Sequence, residues 1–211
     1  MGEVAEQAER PIVEAAELRA HFGAVNPLAE RKCLPRLDAF ARRFIALSPF
    51  LVLASSDGAG GADASPRGDA PGFVAVIDDG TLLIPDRRGN NRVDSFGNVL
   101  ESPGIGLVFL VPGMDETLRV NGRGTITRDP ALLAPLVAGD KVPSVGLVVS
   151  VEEVFFHCGK ALMRARLWDP SRHVDRTAFP TLGRIIAEQT RAIEVAEAER
   201  IMEEGYRTRL Y

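Results

Sequence analysis

The spacing of apolar residues predicts a helical start to the chain. Apolar positions recur at helical intervals from Ile12 to Phe22, and Gly23 is expected to end that helix. Asn26-Pro27 favours the start of a second, short helix. A third helix is predicted to end at Ser48-Pro49, because the residue before a proline avoids the helical conformation. Its expected apolar face consists of Leu37, Phe40, Ala41, Phe44 and Leu47.

From residue 50 the pattern changes to short apolar runs separated by glycine-containing turns, which is typical of β-structure. The predicted strands are residues 50–54, 62–67, 73–77, 81–84, 104–111, 117–127 and 145–151. One helix is expected between them, with Asn90 or Asn91 as its N-cap and Ser102-Pro103 at its end. Its expected apolar face consists of Val93, Phe96, Val99 and Leu100.

The pattern becomes helical again near the end of the chain, where a long acidic helix is predicted from Thr181 to about Glu204. Several short strands at close spacing indicate a barrel or a sandwich. The predicted fold is therefore α+β, mainly β: an antiparallel β-barrel flanked by N- and C-terminal helices. We predict one domain, with a helical extension at 1–47, the barrel at 48–170 and a C-terminal helical segment at 171–211.

Composition and charge exclude two classes of protein, disordered chains and general nucleic-acid-binding proteins. The 211 residues include 25 Lys and Arg against 29 Asp and Glu, a net charge of −4, and 45% of them are hydrophobic. This balance is ordinary for a soluble globular protein and excludes disorder for most of the chain. It argues against general nucleic-acid binding, which normally needs a basic surface. Any bound anion must therefore be held by a local cluster of cations.

Neither a membrane segment nor a metal site is expected. No apolar run approaches the roughly 20 residues that span a bilayer, and the acidic start, Met1 to Glu6, lacks the features of a signal peptide. We therefore expect a cytoplasmic protein. Cys33 and Cys158 are far apart in the sequence, and the three histidines are isolated, so no metal site or catalytic triad is indicated. Cys158 is interpreted as a buried, inert thiol, and a reactive thiol is the alternative.

The densest candidate for chemistry is the sequence Pro-Asp-Arg-Arg-Gly-Asn-Asn-Arg at residues 85–92. It follows a predicted strand and leads into a predicted helix, so Arg87, Arg88 and Arg92 are expected beside a helix N-terminus. Free backbone N–H groups and the helix dipole favour an anion there, and arginine binds phosphate through paired hydrogen bonds. A solvated turn whose arginines pair with Asp86 and Asp94 is an equally open interpretation.

Two other segments carry weaker signals. Residues 64–69, Ala-Ser-Pro-Arg-Gly-Asp, place a proline inside a strand, which predicts an edge or a bulge that aims backbone N–H groups at a flat ligand. An ordinary irregular edge strand explains this pattern as well. Residues 155–168 leave a strand, turn at Gly159 and carry three cations and the only tryptophan. Core packing of the aromatic side chains is the alternative for this segment.

Four motifs, taken in order along the chain, resemble one family: Ser-Pro-Arg-Gly-Asp, Pro-Asp-Arg-Arg-Gly-Asn-Asn-Arg, Leu-Arg-Val-Asn-Gly-Arg-Gly and Phe-Phe-His-Cys-Gly-Lys-Ala. The family is that of the pyridoxamine 5′-phosphate oxidase-like FMN-binding split barrels, in particular their bacterial FMN-dependent branch with a helical N-terminal extension. The resemblance covers Pro35 to Pro170. It implies an antiparallel split barrel of six strands that forms a homodimer, with FMN in clefts between the protomers.

The resemblance also implies which residues would bind FMN. The phosphate would be held by Arg87, Arg88, Asn91 and Arg92. The isoalloxazine ring would lie along Ser65, Pro66, Arg67 and Gly68, with their backbone N–H groups near flavin N5 and the pyrimidine oxygens, and would be lined by Ile84, Pro85 and Asp86. The partner protomer would contribute Cys158, Gly159, Lys160 and Ala161.

The implied activity is that of an FMN-dependent oxidoreductase that acts on a small molecule by hydride transfer through flavin N5. No general acid or base is evident, so no catalytic residue is assigned. Enzymes that oxidise pyridoxamine phosphate end in a strand whose Arg and His grip the substrate; here an acidic helix replaces it, so pyridoxine phosphate is not the expected substrate. The alternatives are a flavin-, haem- or deazaflavin-binding or sensor protein without turnover, and a structural dimer whose arginines bind only sulfate or phosphate.

Overall fold

The computed structural model describes residues 11–210, so the acidic start, Met1 to Glu6, and Tyr211 lie outside the described residues. A first compact unit ends at Cys33 and contains two helices, α1 (Ala15–Phe22) and α2 (Pro27–Arg31). Gly23 follows α1 with φ +72°, and the Asn26 side chain caps α2 by accepting from the N–H of Leu28. Both predicted helices are confirmed, together with the residues that end the first and start the second.

The second unit begins at Leu34 and contains one seven-stranded antiparallel sheet, where the resemblance implied six strands. Its strands are β1 Phe50–Ser56, β2 Ala62–Gly68, β3 Ala75–Asp78, β4 Thr81–Pro85, β5 Gly104–Leu110, β6 Thr117–Thr127 and β7 Gly146–His157. Every predicted strand is present. The last one continues to His157 instead of ending at residue 151, because its ladder with β6 resumes after a bulge and runs from Glu153 to His157.

The sheet curls until β2, at one edge, meets the end of β4, which lies next to the other edge strand. The strand order is β2-β1-β5-β6-β7-β4-β3, which would separate β2 from β4 by about 24 Å in a flat sheet with strands about 4.8 Å apart. Nevertheless, Arg67 on β2 pairs with Asp86 after β4 at 3.3 Å, and Asp69 after β2 pairs with Arg87 at 2.6 Å. The predicted antiparallel split barrel is therefore confirmed, and its opening lies between β2 and β4.

Helix α3 (Ala39–Leu47) packs its inner face into the barrel core. Its buried residues are Ala41, Phe44 and Ile45, preceded by buried Leu37, so the stripe runs i, i+4, i+7, i+8. The predicted face was partly wrong, because Phe40 and Leu47 are 73% and 43% exposed.

The remaining helices flank the barrel or lie in its connections: α4 Asp94–Glu101, α5 Pro130–Leu133, α6 Lys160–Ala165, α7 Leu182–Thr190 and α8 Val195–Thr208. Single 3₁₀ turns occur at Ala134–Leu136, Pro170–Arg172 and Arg176–Ala178. The prediction of a single C-terminal helix was wrong, because α7 ends at Thr190 and Arg191, its C-cap, has φ +53°. A methyl group on Gly183 would lie 2.7 Å from the Glu199 backbone, so α7 and α8 pack closely. Within residues 11–210, no helix combines the length and apolarity that crossing a membrane requires.

Candidate cofactor-binding site

A cavity of about 810 Å³ lies where β2 meets the end of β4, beside the start of α4. Its size is in the range of pockets that bind drug-sized ligands and cofactors. Ten of the residues that the resemblance assigned to FMN line it: Ser65, Pro66, Arg67, Gly68, Pro85, Asp86, Arg87, Arg88, Asn91 and Arg92. The fold therefore brings the two arginine-containing motifs together, although about 20 residues separate them in the sequence.

The other five assigned residues do not line this cavity in the described part of the chain. Ile84 is buried inside β4, with 3% of its surface exposed. Cys158 and Gly159 lie between β7 and α6, and Lys160 and Ala161 begin α6. Gly159 is packed so tightly that an added Cβ would be 2.7 Å from the Asp115 Cβ. Cys158 is exposed, so its interpretation as a buried thiol was wrong. The assignment of residues 158–161 to a partner's site stays a prediction.

Strand β2 forms one wall of the cavity as an edge strand. The Asp69 N–H donates to Pro49 O at 3.0 Å. In an antiparallel pair every second residue directs its N–H and C=O to the neighbouring strand, so Arg67 and Ser65 also direct their N–H groups to β1. Ala64, Pro66 and Gly68 direct their backbone polar groups away from β1, and Pro66 has no N–H to leave unpaired. The edge-strand interpretation is confirmed, with no bulge in β2, and its outward N–H groups belong to Ala64 and Gly68.

Arg67 lies across the opening of the barrel. Its Nη1 is 3.3 Å from Asp86 Oδ1, and its Cζ is 5.6 Å from the centre of the Phe96 ring. Its Nε is buried and has no hydrogen-bond partner among the described residues. A buried unpaired donor costs about 1–3 kcal/mol, so this atom is suited to donating a hydrogen bond to a ligand in the cavity.

Arg87 forms its hydrogen bonds within the protein. Its Nε donates to Asp69 Oδ2 at 2.6 Å and its Nη1 donates to Leu136 O at 2.9 Å. The Asp69 side chain is only 4% exposed. Arg87 thus joins the segments that follow β2, β4 and β6. The resemblance assigned this residue to the phosphate, but two of its three guanidinium nitrogens form hydrogen bonds within the protein.

Arg88 and Arg92 remain beside the start of α4. Arg88 has no ion pair or side-chain hydrogen bond among residues 11–210, whereas Arg92 pairs with Asp94 at 2.8 Å in an exposed position. The pair of Arg92 with Asp94 agrees with the interpretation of residues 85–92 as a solvated turn. Asp86, however, pairs with Arg67 and not with these arginines.

No side chain among the described residues caps the N-terminus of α4. The predicted cap at Asn90 or Asn91 was wrong: Asn90 Oδ1 instead accepts from the Arg92 N–H at 3.1 Å, and the N-cap position is Val93. Asn91 and Val93 both have left-handed backbones, with φ +61° and +53°. Such strain costs about 1–3 kcal/mol per residue and is found mainly at functional sites. No described residue accepts from the N–H groups of Asp94 and Ser95, which suits an anion.

Sequence reasoning missed several residues that line the cavity, among them Asp63, Phe73, Phe96 and Leu210. Asp63 accepts from Ser95 Oγ at 3.0 Å, and the alternation of β2, which places it on the face of Arg67, could have indicated it. Phe96 was expected only as part of an apolar helix face; Val93 and Leu100 of that face are 61% and 77% exposed, so the prediction was wrong for them. No local signal places Leu210, which follows α8, at this cavity.

Asp86 is the titratable group of this cavity whose environment shifts its pKa upward. Burial raises the pKa of the Asp86 carboxyl above its ordinary value, although the charges of Arg67 and Arg87 act in the opposite direction. An acid with a raised folded-state pKa stabilises the protein below its unfolded-state pKa, and that contribution is lost as the pH rises through the folded-state pKa.

We therefore expect the Asp86→Asn variant to gain stability relative to wild type as the pH rises from about 3 to neutral. Urea denaturation of the flavin-free protein over this range measures it. Asp78→Asn is the control of opposite sign, because the hydrogen bond from the Gly80 N–H lowers the pKa of Asp78. Parallel pH curves for the two variants would contradict the assignment.

Comparisons with known proteins bear on the fold and the family. None of the curated proteins matches the sequence. Among solved structures, HupZ of Group A Streptococcus is 17% identical, with a TM-score of 0.46, covering 57% of this chain and 93% of its own. An FMN-binding protein from Syntrophomonas wolfei is 11% identical, with a TM-score of 0.43, covering 68% and 96%. A Clostridium acetobutylicum protein related to general stress protein 26 is 13% identical, with a TM-score of 0.43, covering 56% and 85%.

The sequence itself matches a family model over most of the barrel. The model is described as pyridoxamine 5′-phosphate oxidase and matches residues 37–158, which is more than half of the chain. The match includes both arginine motifs that line the cavity and ends at Cys158. The resemblance inferred from the ordered motifs is confirmed, and the chain belongs to the pyridoxamine 5′-phosphate oxidase family.

Proposed function

We propose that the chain binds FMN in the 810 Å³ cavity and acts as an FMN-dependent oxidoreductase on a small molecule. The observation that carries the proposal is that, among residues 11–210, one cavity joins an uncapped helix N-terminus, an arginine without a partner and a buried unpaired donor. These are the groups that a phosphorylated, hydrogen-bonding cofactor needs. Membership of the pyridoxamine 5′-phosphate oxidase family supports the same proposal.

The phosphate would be held at the start of α4. The N–H groups of Asp94 and Ser95 and the guanidinium of Arg88 are available there, and Arg92 becomes available when it releases Asp94. Asn91 fixes the turn that carries these arginines through its left-handed backbone. Arg87 would act indirectly, because its bonds to Asp69 and Leu136 O fix the base of the arginine turn.

The flavin ring would lie along the outward edge of β2. The N–H groups of Ala64 and Gly68 and the Nε of Arg67 would donate to its polar edge, and Asp86 holds Arg67 in place from the end of β4. When bound, FMN supplies the redox chemistry, namely the exchange of a hydride with the substrate. The cation of Arg67 would stabilise negative charge on the reduced ring. The described residues that line the cavity include no histidine, cysteine or methionine, so a haem would find no axial ligand among them.

A homodimer is part of the proposal. Residues 158–161 do not reach the cavity of their own chain, and the family resemblance assigns them to the site of a second copy. Lys160 is exposed at the start of α6, where it is accessible to such a partner.

The purified protein tests the function directly. We expect it to bind one FMN per chain, with flavin absorption bands, and NADH or NADPH to bleach these bands in the absence of oxygen. Reoxidation by added acceptors then separates an enzyme from a binder. A protein that stays colourless with excess FMN would refute the cofactor, whereas bound FMN that resists every physiological donor would leave a binding protein only.

A further inference from the structure

We propose that Asp86 lowers the redox potential of the bound flavin by offsetting the Arg67 cation beside the ring; this rests on the proposed function. Both side chains line the 810 Å³ cavity. They form an ion pair across the opening of the barrel, with Arg67 Nη1 3.3 Å from Asp86 Oδ1. A ring that accepts a hydrogen bond from Arg67 would therefore experience the charge of the pair and not that of an isolated arginine.

The backbone holds both partners of the pair in place. Arg67 lies in β2 opposite Leu51 of β1, and the Asp86 N–H donates to Val145 O at 3.0 Å, directly before β7. The Arg67 guanidinium also lies over the Phe96 ring, with its Cζ 5.6 Å from the ring centre. Because each residue is bonded to a neighbouring strand or its flank, the sheet sets the distance between the two charges.

The other acids near the pair have partners of their own. Asp69 pairs with Arg87 at 2.6 Å. Asp63, which shares the face of β2 with Arg67, accepts from Ser95 Oγ at 3.0 Å. Among residues 11–210, the Arg67 cation therefore forms one ion pair, and that pair crosses the barrel opening.

Reduction makes the ring sensitive to this charge. A hydride adds two electrons and one proton to the oxidised ring, so the reduced ring carries one more negative charge. A nearby cation stabilises that charge, and the pair is shielded from water, with Arg67 and Asp86 only 21% and 33% exposed. The phosphate keeps its charge on reduction, so contacts at the arginine turn do not enter the difference. Asp86 thus holds the potential below the value that Arg67 alone would give.

Neutral variants of the two partners test the assignment. The potential of the FMN-loaded protein is measured against reference dyes at about pH 8, well above the ordinary titration range of a carboxyl. Burial raises the pKa of Asp86, so the loss of its ionised carboxyl does not cost stability near neutral pH, and Asp86→Asn is expected to fold.

The two partners are expected to shift the potential in opposite directions. Asp86→Asn should favour reduced over oxidised FMN by about tenfold, which is about 30 mV for a two-electron couple. Arg67→Gln should favour oxidised FMN by a similar factor. The double variant Asp86→Asn/Arg67→Gln has no net charge at the pair, like wild type, and should lie within about threefold of it. An ion pair with a structural role only would not give opposite signs.

Asp63→Asn is the matched control, because it removes a negative charge from the same cavity and leaves the Arg67 pair intact. Asp63 is four residues from Arg67 along β2, about 13 Å in an extended strand, so salt screens its charge and we expect less than about a threefold effect. Equal shifts in Asp63→Asn and Asp86→Asn, shifts of the same sign in Asp86→Asn and Arg67→Gln, or an unchanged potential in Asp86→Asn would overturn the proposal and leave FMN binding intact. A protein that binds no FMN would overturn it together with the proposed function.

Discussion

The double variant Arg88→Ala/Arg92→Ala is expected to bind FMN about 10²–10⁴-fold more weakly than wild type, because it removes two charge-assisted contacts to the phosphate. Of the two single variants, Arg88→Ala should show the larger loss. Arg88 has no described protein partner, whereas Arg92 must give up Asp94 before it can contact a ligand. Fluorescence titration of the flavin-free protein with FMN measures the three dissociation constants.

A double variant that removes the same charge elsewhere separates a specific contact from the general field of the protein. Arg128 and Arg172 are both exposed and do not line the 810 Å³ cavity. We expect Arg128→Ala/Arg172→Ala to change the FMN dissociation constant less than about threefold, since surface charges are screened by salt. Unchanged affinity in the Arg88/Arg92 variant, or the same loss in both double variants, would mean that the phosphate is held elsewhere.

The second large effect is expected at Gly122, where β6 and β7 approach each other at a bulge. A Cβ at this position would lie 2.1 Å from Ser150 O and 3.1 Å from Ser150 C, both of which are backbone atoms. Because neither atom is part of a flexible side chain, the strands themselves must shift. We expect Gly122→Ala to lower the free energy of unfolding by about 3 kcal/mol or more, as measured by urea denaturation.

A second strand glycine provides the control. Gly104 begins β5, and no atom lies within 4 Å of the Cβ that an alanine would add there. We expect Gly104→Ala to change the free energy of unfolding by less than about 0.5 kcal/mol. Similar losses in both variants would show that the cost arises from strand glycines in general and not from the contact with Ser150.

The candidate site was only partly accessible from the sequence. A strand followed by an arginine turn and a helix is a local pattern, so the turn at residues 85–92 and the helix that follows it could be located without tertiary information, whereas the predicted asparagine cap was wrong. Which of its arginines form bonds within the protein could not be predicted in this way. Arg87 pairs with Asp69 and Leu136, which lie 18 and 49 residues away in the sequence, whereas Arg88 has no partner in the described part of the chain.

The burial of side chains could also be predicted in part: correctly along a strand, and less well on short helices. On β6 the residues Leu118, Val120, Gly122 and Gly124 are buried, which follows from the sequence because a strand inside a sheet repeats every two residues. On the short helices α3 and α4 the apolar pattern alone was insufficient: Phe40 and Leu100 fit the predicted faces and yet are more than 70% exposed. A helix of eight or nine residues has two or three turns, and its rotation depends on the surface against which it packs.

The sequence by itself determined the strands, the turns between them, the helix ends at Gly23 and Ser48, and the presence of a local cationic cluster in an acidic chain. These features depend on residues that are neighbours in the sequence. The tertiary structure decided that β2 meets the end of β4, that Arg67 pairs with Asp86 and keeps a buried nitrogen without a partner among the described residues, and that Leu210 reaches the same cavity. These features depend on the curl of the whole sheet, which brings distant segments into contact, and no local periodicity specifies that.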